Sequence, residues 1–359
     1  MDKAKKTSSE IDMKLDGIKD KFDVSYSDWM SEKQRESSSR GRRRNKSNNG
    51  DSSATPASSD NTSKGERSRT SRVETTSKLP EQPIRGFVNE SLFLKNFLMK
   101  QKESEEFKTL AIVGKFGVGK TTLCQDVFNH KDVKEAYLPR IWVSMYSKET
   151  KDQKVAVLKK MLRSLGVEDE KLDEIKTEAE EEKRSKDEAG KTDEETVEEK
   201  ELFKLLHALN SNLLGKKYLV VLDNVWEDNE WNQRLDGEKT QVDKTHLSCG
   251  FPKGFGGRVI VTSRDEGLAK KIVGEEENVQ RLFPRSDVES VWEIYKDAVG
   301  ELMKDAVEKV VRNKTIWVVN PRYPGRYKKE LMDKSGGVPW AARMLAKIEP
   351  LKNDEDKDL

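Results

Sequence analysis

Residues Thr109 to Asn129 read TLAIVGKFGVGKTTLCQDVFN, and this stretch decides the fold. Leu110 to Val113 is a short apolar run, Gly114 breaks it, and from Lys120 to Asn129 the spacing is helical. Between them Gly114-Lys115-Phe116-Gly117-Val118-Gly119-Lys120-Thr121 fits G-x-x-x-x-G-K-[ST] at every fixed position. Glycines let such a loop curl until successive backbone N–H groups point inward at phosphate oxygens. The start of the helix adds its partial positive charge. On that geometry Lys120 reaches the β- and γ-phosphates of a purine nucleotide and the Thr121 hydroxyl ligates magnesium. Thr122, next along the helix, completes the run of expected cofactor-binding residues. An incidental glycine turn would require neither the strand before it nor the helix after it.

A phosphate loop needs a second acid at the end of a neighbouring buried strand to hold magnesium. Tyr218-Leu219-Val220-Val221-Leu222-Asp223 supplies it, and Asp223 after five apolar residues outweighs the alternative of a plain turn residue. Asn224 follows, where an acid able to orient or deprotonate water would sit; a neutral amide cannot accept that proton. Further strands are predicted at Arg140 to Met145, Lys217 to Leu222 and Arg258 to Thr262, with a weaker one at Val279 to Phe283. Apolar strands alternating with helical stretches predict an α/β fold, a doubly wound parallel sheet covered on both faces.

The remainder of the 359 residues is less apolar: 33% are hydrophobic and 37% charged, so part of the chain lacks the surface to fold. Residues 1–36 read as a short segment with helical spacing at Ile11, Leu15, Ile18 and Phe22, either partner-binding or a frayed surface helix. Residues 37–82 read as a disordered basic Ser/Arg-rich linker. Its Arg40-Gly41-Arg42-Arg43-Arg44 run is a solvated tail or a nuclear signal. The nucleotide-binding domain is expected over 83–299, with an acidic insertion near 167–200 that is either unstructured or a solvated helix. A partial helical subdomain and charged tail are expected over 300–359. A net charge of +2 argues against a nucleic-acid partner. Cys124 and Cys249 cannot make a disulfide framework, and the three histidines show no ligand spacing. No apolar run approaches the roughly 20 residues that cross a bilayer. These features predict an intracellular protein of the cytoplasm or nucleus.

The motifs together resemble the NB-ARC module of plant disease-resistance proteins of the nucleotide-binding, leucine-rich-repeat type. Gly114 to Leu123 is similar to the family's GMGGVGKTTL, Leu219 to Trp226 to LLVLDDVW, and Gly257 to Asp265 to GSRIIVTTRD. Leu282 to Tyr295 resembles the L-x-x-L-S-x-x-E-A-W-x-L-F stretch, with Trp292 aligned. Gly337-Val338-Pro339-Trp340-Ala341 resembles GLPLA, and Ile84-Arg85-Gly86 the segment that opens the module. The resemblance implies ADP or ATP with Mg2+ as cofactors and a small helical ARC subdomain. It also implies defence signalling with other immune-receptor or signalling proteins. Asp223 would organise magnesium, Arg264 would sense the γ-phosphate, Pro339 would pack near the nucleotide, and Ile84 would help cradle adenine. Arg264 as a plain surface residue and Pro339 as a generic helix start are the competing expectations. Asn224 in place of the family's second acid, and a chain ending at Leu359 without a second ARC subdomain or repeats, resemble a truncated member. Two functions from different classes follow: a nucleotide-dependent switch or adaptor with little hydrolysis, and an ATPase that couples turnover to assembly. A scaffold that never binds nucleotide is the third.

Overall fold

The computed structural model describes residues 74–99, 106–145, 153–188, 195–226, 230–235, 244–309 and 324–348. The expected N-terminal helix and the arginine run therefore lie outside the described residues. Helices are α1 (Val88–Met99), α2 (Lys120–Phe128), α3 (Lys131–Ala136), α4 (Gln153–Ser164), α5 (Asp169–Glu188) and α6 (Val197–Leu213). After them come α7 (Glu266–Val273), α8 (Val288–Lys309), α9 (Pro324–Ser335) and α10 (Pro339–Ile348). Strands are β1 (Lys108–Val113), β2 (Arg140–Ser144), β3 (Leu219–Val225), β4 (Arg258–Ser263) and β5 (Val279–Arg281). They form one five-stranded sheet in the order β2-β3-β4-β1-β5, and every neighbouring pair is parallel.

Both faces of the sheet are covered, which is why its strands are apolar without alternation. Ala111, Val113, Val220 and Leu222 face a core completed by α4, α6 and α7. Leu110, Ile112, Leu219 and Val221 face the opposite core, built from α1, α2 and α3. Leu219, Val220 and Val221 are fully buried, and each such side chain contributes about 1.5–3 kcal/mol of transfer free energy. A third cluster joins α8 to α9 and α10 through Trp292, Tyr295, Leu331, Ala342 and Ala346.

The acidic stretch is helical where described: Leu172 and Ala179 are buried and Ile175 half-buried against the core. Their i, i+3, i+7 spacing gives α5 one apolar stripe among charges. Lys204 of α6 pairs with Glu178 at 3.1 Å and Glu182 at 2.7 Å on its flank. Helix α6 begins with a capping box, in which the Thr196 side chain accepts from the Glu199 amide and the Glu199 carboxylate accepts from the Thr196 amide. Order also begins before Pro83. Thr75 to Ser77, within the stretch read as linker, hydrogen-bond to Gln125 and Asn129 at α2, to Trp142 of β2 and to Asp223 of β3.

Candidate phosphate and magnesium site

The loop from β1 to α2 curls through Gly117 and Gly119, whose φ angles are +74° and +103°. A side chain is strained in that region. Space forbids one as well: a Cβ on Gly119 would stand 2.5 Å from the Phe87 ring, and one on Gly117 2.6 Å from the Trp340 Cβ. Lys120, at the first position of α2, folds back and donates to the carbonyl oxygens of Gly114 (2.7 Å) and Lys115 (2.9 Å). Its ammonium therefore lies over the loop rather than in solvent.

Asp223 sits near the end of β3 and is fully buried. Three hydroxyls converge on its carboxylate. Thr121 Oγ1 lies 3.0 Å from Oδ2 and 3.1 Å from Oδ1. Thr262 Oγ1, on β4, donates to Oδ1 at 2.6 Å, and Thr75 Oγ1 donates to Oδ2 at 2.7 Å. Thr262 also accepts from the Asn224 amide at 2.8 Å, tying the β3 irregularity between Leu222 and Val225 to its neighbour. Asn224 has φ +63°, a conformation that Asn and Asp tolerate better than other side chains. A hydroxyl and a buried carboxylate at the head of a helix are hard oxygen donors of the kind magnesium takes, usually with several waters retained. With the ammonium and the inward-curled loop beside them, the residues present fit a magnesium nucleotide.

The other expected site residues gather around this centre. Val118 is buried, and Lys115, Phe116 and Thr122 are half-buried along the loop and helix start. Arg264 is exposed beyond the end of β4, with its guanidinium 4.6 Å from the Phe116 ring centroid. The same ring meets Trp340 edge-on at 5.1 Å. Pro339 opens α10, and the next residue's amide donates to the Gly117 carbonyl at 3.2 Å. Ile84 packs against the cluster that holds Phe87, Val118 and Leu123. Loop, strand-end acid, arginine and the two flanking segments thus come together.

Three site-adjacent residues escape the sequence pattern: Thr75, Thr262 and Arg285. Arg285 is 8% exposed, with its guanidinium 3.7 Å from the Phe87 ring centroid and an ion pair to Glu90 at 3.4 Å. Among the described residues its Nε and Nη2 have no hydrogen-bond acceptor, and burial draws its pKa down against the pull of Glu90. Its own amide donates to Gly337 at 2.7 Å, so it bridges the opening segment and the Pro339 turn. Cys124 is buried on α2; burial, then the nearby Asp223, pushes its thiol well above the usual range, with Lys120 opposing. Among the described residues no group of three or more His, Cys, Asp or Glu could hold a further metal. No described helix is long and apolar enough to cross a membrane.

A curled glycine loop followed by Lys120 and Thr121, facing a strand-end Asp223 across a wholly parallel sheet, defines a P-loop nucleotide-binding fold. Within that class the chain belongs to the NB-ARC domain family, whose sequence profile matches residues 91–305. It is 65% identical to the probable disease resistance protein At4g19060 of Arabidopsis thaliana, over 99% of this chain and 97% of that protein. It is 47% identical to the probable disease resistance protein At5g45440 of the same plant, over 80% of each. The disease resistance RPP13-like protein 4 of Arabidopsis thaliana is 31% identical over 55% of this chain but only 18% of its own length.

Proposed function

We propose that the protein binds ADP or ATP with Mg2+ at Gly114–Thr122 and acts as a nucleotide-dependent switch or adaptor in plant defence signalling, with little intrinsic hydrolysis. The observation that carries this is the convergence of Lys120, Thr121 and the buried Asp223 at the mouth of the glycine loop. The loop amides and Lys120 would hold the β-phosphate, while Thr121 and Asp223 would hold magnesium, which neutralises charge between the phosphates when bound. Arg264, beside the loop on the Phe116 ring, would add a two-point contact to a γ-phosphate. Trp340 links α10 to Gly117, so a change in the loop would reach the helical C-terminal part directly. A ligand shifts such an equilibrium only by its differential affinity for the two arrangements. Asn224 supports binding over turnover, because its amide cannot take a proton from water.

Isothermal calorimetry with ADP and ATP, each with Mg2+, tests the proposal directly. Lys120→Ala should weaken binding by roughly 10- to 100-fold, the loss expected when a charged donor to phosphate is removed. A well-folded sample that gives no heat with either nucleotide refutes the binding, and identical affinities with an unchanged hydrodynamic radius refute the switch.

A further inference from the structure

The segment Glu74 to Ser77 carries no secondary structure, yet four elements hold it. Thr75 donates to Asp223 Oδ2 at 2.7 Å and accepts from Trp142 Nε1 of β2 at 3.4 Å. Gln125 of α2 donates to the Thr76 carbonyl at 2.7 Å, and Asn129 just beyond α2 donates to the Ser77 carbonyl at 2.6 Å. Lys160 of α4 pairs with Glu74. A surface connection need not thread a side chain onto the one fully buried acid of the phosphate site. Here it does.

The Asp223 carboxylate accepts from Thr75, Thr121 and Thr262, and its two oxygens together offer about four acceptor sites. Hydrated magnesium brings further O–H donors from its own waters to that acid, so crowding must be relieved by one hydroxyl leaving. Thr262 is fixed in the middle of the sheet on β4, and Thr121 is fixed in the first turn of α2. Thr75 stands on a segment that is neither helix nor strand, and among the described residues its neighbours Glu74, Thr76 and Ser77 are held by side chains of Lys160, Gln125 and Asn129. It is the hydroxyl that can yield.

We infer that Thr75 caps the Asp223 carboxylate while the site is free of metal, and that the Glu74–Ser77 segment docks on Asp223 in competition with hydrated magnesium. Loading the site with magnesium and nucleotide lifts the segment away. Thr75 thereby couples occupancy of the site to release of its own segment. The inference rests on the nucleotide-binding function proposed above.

Hydrogen–deuterium exchange on the full chain reads both features at once, from peptides covering 74–82 and 110–125. Samples are the protein alone, with ADP and EDTA, and with ADP and Mg2+. ADP in either form should slow exchange in the loop peptide; only ADP with Mg2+ should speed it at 74–78. Thr75→Val should speed exchange at 74–78 without ligand. It should also tighten Mg2+–ADP binding by roughly three- to tenfold, the worth of one competing hydrogen bond, and leave metal-free ADP affinity unchanged. Thr75→Ser should behave as wild type. A protected loop with unaltered exchange at 74–78 overturns the competition, and so does weaker Mg2+–ADP binding by Thr75→Val. Failure of every nucleotide arm to protect the loop removes the nucleotide-binding function itself, and the competition with it, so the two failures are told apart.

Discussion

Gly337 offers a measurement in which geometry sets the size of the effect. Its φ is +73°, and a Cβ built there would stand 2.0 Å from the Arg285 carbonyl oxygen. Gly166 and Gly215 have similar φ values of +85° and +75°, but a Cβ on either meets nothing within 4 Å. Substitution by alanine costs all three the same backbone penalty, about 1–2 kcal/mol. At Gly337 two main chains must also part by about 1 Å, the shortfall from the 3.0 Å below which real Cβ contacts are essentially never seen. That movement strains the 2.7 Å hydrogen bond from the Arg285 amide to the Gly337 carbonyl. Losing a buried bond adds about 1–3 kcal/mol. Gly337→Ala should therefore cost about 2–5 kcal/mol, and Gly166→Ala and Gly215→Ala about 1–2 kcal/mol each. Urea unfolding of the three variants, followed by circular dichroism, makes the comparison. If all three lose the same stability, the close approach between the Pro339 turn and Arg285 is not rigid, and the steric reasoning fails.

Asn224→Asp keeps a residue type suited to φ +63° and places a carboxylate beside the phosphate site. Phosphate release should rise by about 100-fold or more, the usual contribution of a general base, while nucleotide affinity changes little; a fast wild-type rate indifferent to the swap would instead mark an ATPase. Cys124 should resist a thiol reagent in the native protein at pH 7 to 9, because its thiolate forms only well above the ordinary range, while the partly exposed Cys249 reacts first. Labelling of Cys124 should stay slow across that window; equal rates for the two thiols would contradict the buried placement.

The legible part of the sequence was the part in which short-range pattern and fold agree. Leu110 to Val113 and Leu219 to Leu222 are apolar without alternation because both sheet faces are covered, and the glycine spacing specifies its own loop. Asp223 was legible from its place after a buried strand. Its hydroxyl partners were not, since Thr75 and Thr262 lie 148 and 39 residues away and meet it only through folding. The V-T-S ending of β4 was the available signal for Thr262, given a parallel neighbour. Arg285 was missed for a different reason. No motif of the resemblance gives it a role, and arginine is a residue type rarely found buried. The helical alternative for the acidic stretch was decided by three apolar residues, Leu172, Ile175 and Ala179, whose spacing is easily lost among so many charges.

The strand order carries a consequence for how the protein fails. The longest strand, the seven-residue β3, lies inside the sheet, while the borders are the five-residue β2 and the three-residue β5. Short borders give a foreign strand little backbone to pair with, so the native fold is protected from edge-to-edge association. That protection vanishes on unfolding, when Tyr218 to Leu222 becomes an uncharged, β-prone stretch open to its copies in other chains. Heating should then end in precipitation rather than in a reversible transition, and storage life will follow the rate of opening more than the depth of the native well.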